Sequence, residues 1–210
     1  MTRPLIVSDC DEVLLFMVSH FKDWLEASQG VDFHLDGHNF AEALRWKKSG
    51  DLLEPADIWK MLGRFFDTEM DTQTAIPGAV EAINTLQEHA DVVILTNLVD
   101  ERREKRAEQL AKVGIEAPVY TNQGPKGPAL KAILEEHGAD RPTVFIDDLA
   151  QHHASVREVS AAVIRLHMCG EPTIAQAITC ARTAGDADAR IDQWDEAVPW
   201  ILKQFERAAA

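Results

Sequence analysis

Leu5-Ile6-Val7-Ser8-Asp9-Cys10-Asp11-Glu12-Val13 is the stretch whose reading decides the fold. A short apolar run entered from Pro4 ends in two aspartates one residue apart. Leu5 to Ser8 reads as a buried strand, because the run is brief and apolar. Side chains two apart on a strand share a face, so Asp9 and Asp11 project together if the extended geometry continues. They then lie past the carboxyl end of the strand, where open α/β sheets place ligands. Two carboxylates this close repel unless a cation or a shared proton compensates. The pair is therefore a candidate metal or acid–base site.

The rest of the chain supplies the strands that such a sheet needs. Asp91 leads into Val92-Val93-Ile94-Leu95-Thr96-Asn97, a continuous β-branched run suited to a parallel strand covered on both faces. Pro118 to Thr121, Thr143 to Ile146 and Ala161 to Leu166 read as further strands, with an edge strand around Arg190-Ile191. Between them, helical patterns run over Ala79–Leu86, Asp100–Val113, Ala129–His137 and Leu149–Val159, with Glu171–Cys180 and Trp194–Phe205 following. Gly114 and Gly138 mark two of the helix ends. Strands alternating with helices predict a doubly wound parallel α/β sheet.

One block breaks the alternation. Residues 19–75 show helical patterns at His20–Gly30, Phe40–Gly50 and Pro55–Phe66, and no clear strand. The block reads as a small helical cap inserted after the first strand's loop, with residues 1–18 and 76–210 forming the core. Trp24, Trp46 and Trp59 stand at helical positions and are expected in the cap's interior.

Composition narrows the function classes. Of 210 residues, 46% are hydrophobic, and 35 acidic residues outnumber 21 basic ones for a formal charge of -14. That balance argues against a nucleic-acid backbone as partner. An anionic substrate needs local positive charge to overcome the overall field. No apolar run approaches a spanning helix, and no leader is visible before the first strand. Cys10, Cys169 and Cys180 form no C-x-x-C pair and read as free thiols in a cytoplasmic protein. Oligomeric state is not legible.

Further residues with chemistry stand at the other strand ends or in loops beside them. Thr96 ends one strand, Lys126 sits in a Gly/Pro loop, and Asp147-Asp148 end another strand. In a parallel sheet these carboxyl ends share one edge, so carboxylates, a hydroxyl and an ammonium converge. The set Asp9-x-Asp11-x-Val13, Thr96, Lys126 and Asp147-Asp148 resembles the haloacid dehalogenase superfamily, most of whose members are phosphatases. The resemblance covers residues 1–18 and about 76–192, in the family's order and spacing. One position departs from it: Glu12 stands where glycine is common, at a turn that glycine eases.

The resemblance implies an Mg²⁺-dependent phosphatase acting on a small phosphorylated molecule. It implies Asp9 as nucleophile, forming an aspartyl-phosphate, and Asp11 as acid and then base. Asp9, Asp11 through its backbone carbonyl, Asp148 and Asp147 are the implied metal ligands. Thr96, the backbone N–H of Asn97, and Lys126 are implied to bind the phosphoryl group. Asp11 argues against dehalogenation, which needs no acid for an alkoxide leaving group. A sugar phosphomutase shares the first half-reaction and stays open. So does a phospho-accepting signalling module, although its acidic pair comes first in sequence rather than last.

Other features are expected to be structural. His34 and His38 have ligand-like spacing without a third ligand. His152-His153 are expected to be exposed on the next helix's first turn. Asp100 to Arg106 reads as a solvated charge run. Arg45, Lys47 and Lys48 form the cap's basic cluster, placed either on the surface or near a substrate's anionic end. Cys10, between the aspartates, is expected to point into packing.

Overall fold

In the computed structural model, residues 2–34 and 40–209 are described. The chain opens with β1 (Leu5–Ser8), α1 (Val18–Trp24), β2 (Val31–Phe33), β3 (Leu44–Trp46) and α2 (Pro55–Thr68). It continues with α3 (Ala79–His89), β4 (Asp91–Thr96), α4 (Arg103–Val113), β5 (Val119–Thr121), α5 (Gly127–His137) and β6 (Thr143–Asp147). Then come α6 (Ala150–Val159), β7 (Ile164–His167), the short α7 (Pro172–Ala175) and α8 (Ala181–Ala184), β8 (Ala189–Arg190) and α9 (Trp194–Ala209).

The main sheet has six parallel strands in the order β5-β4-β1-β6-β7-β8. The order reverses direction around β1, and the carboxyl ends of β1, β4 and β6 lie side by side there. Alternation along the strands feeds two cores. Ile6, Val92, Ile94, Val144 and Ile146 pack with α3, α9 and Leu110 of α4. Leu5, Val7, Val93, Leu95 and Phe145 pack with Leu130 and Ile133 of α5 and Val156 of α6 on the other face. Burial on both faces is why these strands read as unbroken apolar runs.

A third core lies over the sheet's carboxyl edge. Phe21, Leu25, Val31, Leu44, Ile58, Phe65 and Met70 pack together and meet Leu98 and Ile174. The two strands joining this region to the rest pair with each other: Phe16 N–H donates to Thr74 O and Ile76 N–H to Leu14 O.

The strand-free reading of this region is corrected. β2 and β3 form an antiparallel pair in which Val31 faces Trp46 and Phe33 faces Leu44. Phe40–Glu42 is one 3₁₀ turn, and Leu44–Trp46 is extended rather than helical. Three-residue strands give too few alternating positions for a period of two to stand out from a helical pattern. Trp59 is also corrected: it is 73% exposed rather than interior. Beyond β7, the helix expected over Glu171–Cys180 is confined to α7. His38 lies outside the described residues, and His34 is exposed.

Candidate active site

The loop after β1 is fixed by hydrogen bonds before any side chain acts. Asp9 N–H donates to Ile146 O at 2.8 Å, continuing the β1–β6 pairing by one residue. Leu14 and Leu15 N–H both donate to Cys10 O, and Gly170 N–H donates to Glu12 O at 2.7 Å. From the far end of the chain, the buried indole of Trp194 donates to Val13 O at 2.9 Å.

Glu12 adopts φ 61°, in the left-handed region that glycine favours. Its side chain offsets part of that strain. Oε1 accepts from the N–H of Met17 at 3.0 Å and of Val18 at 2.6 Å, capping α1. Oε2 is buried with no partner among the described residues. Burial pushes the Glu12 carboxyl up to about 8 against those two N–H bonds, and the charges of Asp11 and Glu171 add to the rise.

Lys126 precedes α5 and is fully buried. Its Nζ lies 2.7 Å from Asp9 Oδ1 and 2.7 Å from Asp147 Oδ2. Its position is set by a close approach of α5 to α6. Gly127 N–H donates to Ser155 Oγ at 3.0 Å, and a Cβ at Gly127 would lie 2.3 Å from Ser155 O. Asp147 Oδ1 accepts from Leu149 N–H at 2.9 Å. Asp9, Asp147 and Asp148 each offer a carboxylate oxygen within 4.8 Å of the others, all three residues being buried.

One ammonium cannot balance three buried carboxylates. Burial, only partly opposed by Lys126, raises Asp9 to about 7, with Asp147 and Asp11 adding to the rise. Asp148 is raised well above the usual carboxylate range by burial and by the charges of Asp147, Asp9 and Glu12. Asp147 goes the other way: burial would raise it, but Lys126 and the histidines His152 and His153 outweigh that and hold it low. For Lys126, the charges of Asp147 and Asp9 overcome burial and keep the ammonium protonated. Such a donor set of hard oxygens suits a divalent cation such as Mg²⁺.

Asp11 sits beside this cluster under separate control. Arg106 Nη2 reaches its two oxygens at 3.0 and 3.1 Å, and Gln73 Nε2 donates to Oδ1 at 3.1 Å. Arg106 is fully buried on α4. Its Nη1 donates to the Oε1 atoms of Gln73 and Gln109 and approaches Cys10 Sγ at 3.4 Å. The solvated charge run expected over Asp100–Arg106 is therefore corrected at its last residue. Arg106 stands three and four positions before Gln109 and Leu110, which are also buried, and that helical spacing was the available signal.

Thr96, at the end of β4, is fully buried, and its Oγ1 has no partner among the described residues. Asn97 follows it and lines the cavity, with Nδ2 donating to Gly124 O and lying 3.4 Å from His152 Nε2. His152 and His153 are both buried, a further correction. His153 Nε2 lies 2.9 Å from Asp147 O, and Phe145 and His167 flank its ring. Arg45, Lys47 and Lys48 are exposed and stand apart from the cavity wall. Cys10 is buried as expected, and all three cysteines are free.

A cavity of about 730 Å³ opens over the carboxylates. Asp9, Asp11, Glu12, Asp148 and Asn97 contribute to one part of its lining, and Phe40, Trp59, Leu62 and Phe66 line it from the segment between β1 and α3. Sequence reasoning thus found the residues that meet at Lys126. It missed Arg106, Gln73 and Trp194, which hold Asp11 and the loop.

Residues 66–159 match the family of haloacid dehalogenase-like hydrolases. The matched segment runs from the end of α2 to the end of α6 and so includes Thr96, Lys126, Asp147 and Asp148. A comparison with curated proteins finds no match. Among solved structures, a haloacid dehalogenase-like hydrolase from Streptococcus pneumoniae superposes with TM-score 0.67 at 13% identity, over 95% of this chain and 98% of that one. A magnesium-bound hydrolase of this type from Bacillus subtilis gives TM-score 0.64 at 15% identity, covering 96% and 99%. A chain provisionally named phosphoglycolate phosphatase, from Lactobacillus plantarum, gives TM-score 0.60 at 14% identity, covering 95% and 99%. At these identities the likeness is one of fold. No helix of the described residues is long and apolar enough to cross a membrane.

Proposed function

We propose that this haloacid dehalogenase-like protein is an Mg²⁺-dependent phosphatase that hydrolyses a small phosphate monoester through an aspartyl-phosphate on Asp9. The observation that carries the reading is the pairing of Asp9 with Lys126 at 2.7 Å inside the buried Asp9–Asp147–Asp148 cluster. A carboxylate held this way is both aimed and charge-compensated, as a nucleophile must be.

The ion would be held by Asp9, Asp148, the backbone carbonyl of Asp11, and Asp147 directly or through water; when bound it neutralises charge on the phosphoryl oxygens. Asp9 forms a bond to phosphorus as the bond to the leaving oxygen breaks. Asp11 gives that oxygen its proton. It then takes a proton from water, whose oxygen attacks phosphorus and releases Asp9. Lys126 compensates charge on Asp9 and on the transferring group. Thr96 Oγ1 and Asn97 N–H bind phosphoryl oxygens, consistent with the buried, unpartnered Thr96 hydroxyl. Residues 19–75 act as a cap that limits water and contacts the alcohol part of the substrate.

The test is phosphate release from a broad panel of phosphorylated metabolites with Mg²⁺, run beside Asp9→Asn. Turnover that vanishes in the variant is expected. An inactive wild-type protein, or a fully active Asp9→Asn, would sink the reading.

A further inference from the structure

We infer that the alcohol part of the substrate is apolar, of aromatic size, and carries no second acidic group. The inference rests on the phosphatase reading and adds the substrate class to it.

The cavity lining is of three chemical kinds. Phe40, Trp59, Leu62, Phe66, Ile174 and Ile178 are apolar. Asp9, Asp11, Glu12 and Asp148 are acidic, and Asn97, Gln151, His152 and Thr179 add polar groups without a fixed positive charge. Among the described residues, the lining contains no lysine or arginine. The nearby cations are already committed. Lys126 lies between Asp9 and Asp147, and Arg106 holds Asp11. None of the cap's described basic residues lines the cavity: Arg45 donates to Gly50 O, Lys47 to Glu26 O beside Asp32, and Arg64 to Gln29 Oε1.

A substrate's phosphoryl group has Lys126 and the implied cation to meet it. A second anion on the same substrate has neither. It would find at most neutral donors such as Asn97, Gln151 and His152, with the carboxylate of Asp11 in the same cavity and no cation to balance it, or lie unpaired against the apolar lining, and both placements are unfavourable. An apolar alcohol instead gains from covering Leu62, Phe66 and the half-free ring of Trp59, which is 73% exposed.

The experiment is equilibrium binding by calorimetry with Mg²⁺, using two ligands that cannot be hydrolysed: benzylphosphonate and para-carboxybenzylphosphonate. Both present the same phosphoryl-like group and ring, and they differ in one carboxylate. Benzylphosphonate is expected to bind at least about tenfold tighter, the scale of a charge left unpaired in a partly buried pocket. Trp59→Arg, at an exposed position where folding is not at stake, is expected to narrow that ratio by supplying a cation. Equal or tighter binding of the carboxylated ligand, no binding of either, or an unchanged ratio in Trp59→Arg would overturn the inference. Because binding is read without turnover, failure of the phosphatase assay with the preference intact would remove the reaction and leave the selectivity. Turnover without the preference would do the reverse.

Discussion

Arg106 grips both carboxylate oxygens of Asp11 from a fully buried position on α4, at 3.0 and 3.1 Å. Both contacts come from Nη2, and Nη1 is tied to Gln73 and Gln109, so the guanidinium that meets Asp11 is itself held in orientation. Gln73 and Gln109 hold the other side of the guanidinium, and its carbon lies 5.5 Å from the centre of the Phe66 ring. The network therefore ties α4 to Met70 and Gln73 in the segment between α2 and α3.

Arg106→Ala is expected to lower stability by roughly 2–4 kcal/mol, because it leaves the partly buried Asp11 carboxylate without its counter-charge and the buried Gln109 Oε1 without its donor. Arg106→Lys keeps the charge but not the fork. If Arg106 positions Asp11, the lysine variant folds, lowers kcat by at least about tenfold and leaves KM nearly unchanged. Chemical denaturation and steady-state kinetics check this together; a lysine variant with wild-type kcat would restrict Arg106 to holding the fold.

Glu12 carries opposing effects that substitutions can separate. Its left-handed backbone costs on the order of 1 kcal/mol for a residue with a Cβ. Its carboxylate offsets this by capping α1 through Met17 and Val18. Glu12→Ala keeps the strain and loses the cap, so it is expected to destabilise by about 1–2 kcal/mol. Glu12→Gly loses the cap but also the strain, and should be the milder of the two. The order is read from urea midpoints, and an alanine variant more stable than the glycine variant would contradict it.

Gly127 sets where Lys126 stands. A methyl group there meets the backbone oxygen of Ser155, which cannot rotate away. Gly127→Ala must push α5 from α6, at a cost of about 1–3 kcal/mol. Lys126 immediately precedes the displaced residue, so turnover should fall further than stability alone explains at temperatures well below unfolding. Gly127→Ala with unchanged activity and unchanged melting temperature would mean that the contact is slack.

Much of this was open to sequence reading, and the failures have physical causes. Val92–Leu95 announced its strand because burial on both faces leaves every position apolar. Asp9, Lys126, Asp147 and Asp148 could be grouped because a parallel sheet brings strand ends to one edge. Arg106 and Asp11 are 95 positions apart, and a charged residue buried for pairing looks like a surface charge until its partner is known. His152 and His153 read as exposed for a similar reason: a polar ring can be buried when one of its nitrogens meets a backbone oxygen, as in His153, or a donating side-chain amide, as in His152. Trp59 erred the other way, since an aromatic at a helical position reads as core even when it lines an open cavity.

His167 predicts an acid-sensitive fold. Its Nδ1 accepts from Ala181 N–H at 2.9 Å, so Nε2 carries the proton towards Asp148 O at 2.8 Å. Burial, with the charges of His153 and Arg190, lowers the ring to about 4. The folded value lies below the unfolded one, so the unfolded chain binds the extra proton first as pH falls. The contribution is complete above about 6.5 and is lost between there and about 4, on the order of 2–3 kcal/mol in all. Denaturation of the metal-free protein at pH 7 and pH 5 should show His167→Asn losing less between the two than wild type. Equal losses would remove His167 as a source of the acid sensitivity.

Asp148 should separate the cost of the carboxylate cluster from its use. In the metal-free protein its carboxyl is raised by burial and by Asp147, Asp9 and Glu12, so the neutral form is the comfortable one. Asparagine imitates that neutral form, and Asp148→Asn should match or exceed wild type in stability when a chelator is present. Adding Mg²⁺ stabilises whichever protein binds it, by about 2.7 kcal/mol at a hundredfold excess over the dissociation constant. Wild type is expected to gain melting temperature with Mg²⁺, and Asp148→Asn to gain little or none. The two curves then cross: the variant is at least as stable without the ion and less stable with it. Parallel curves with equal gains would show that the ion, if it binds, does not use Asp148.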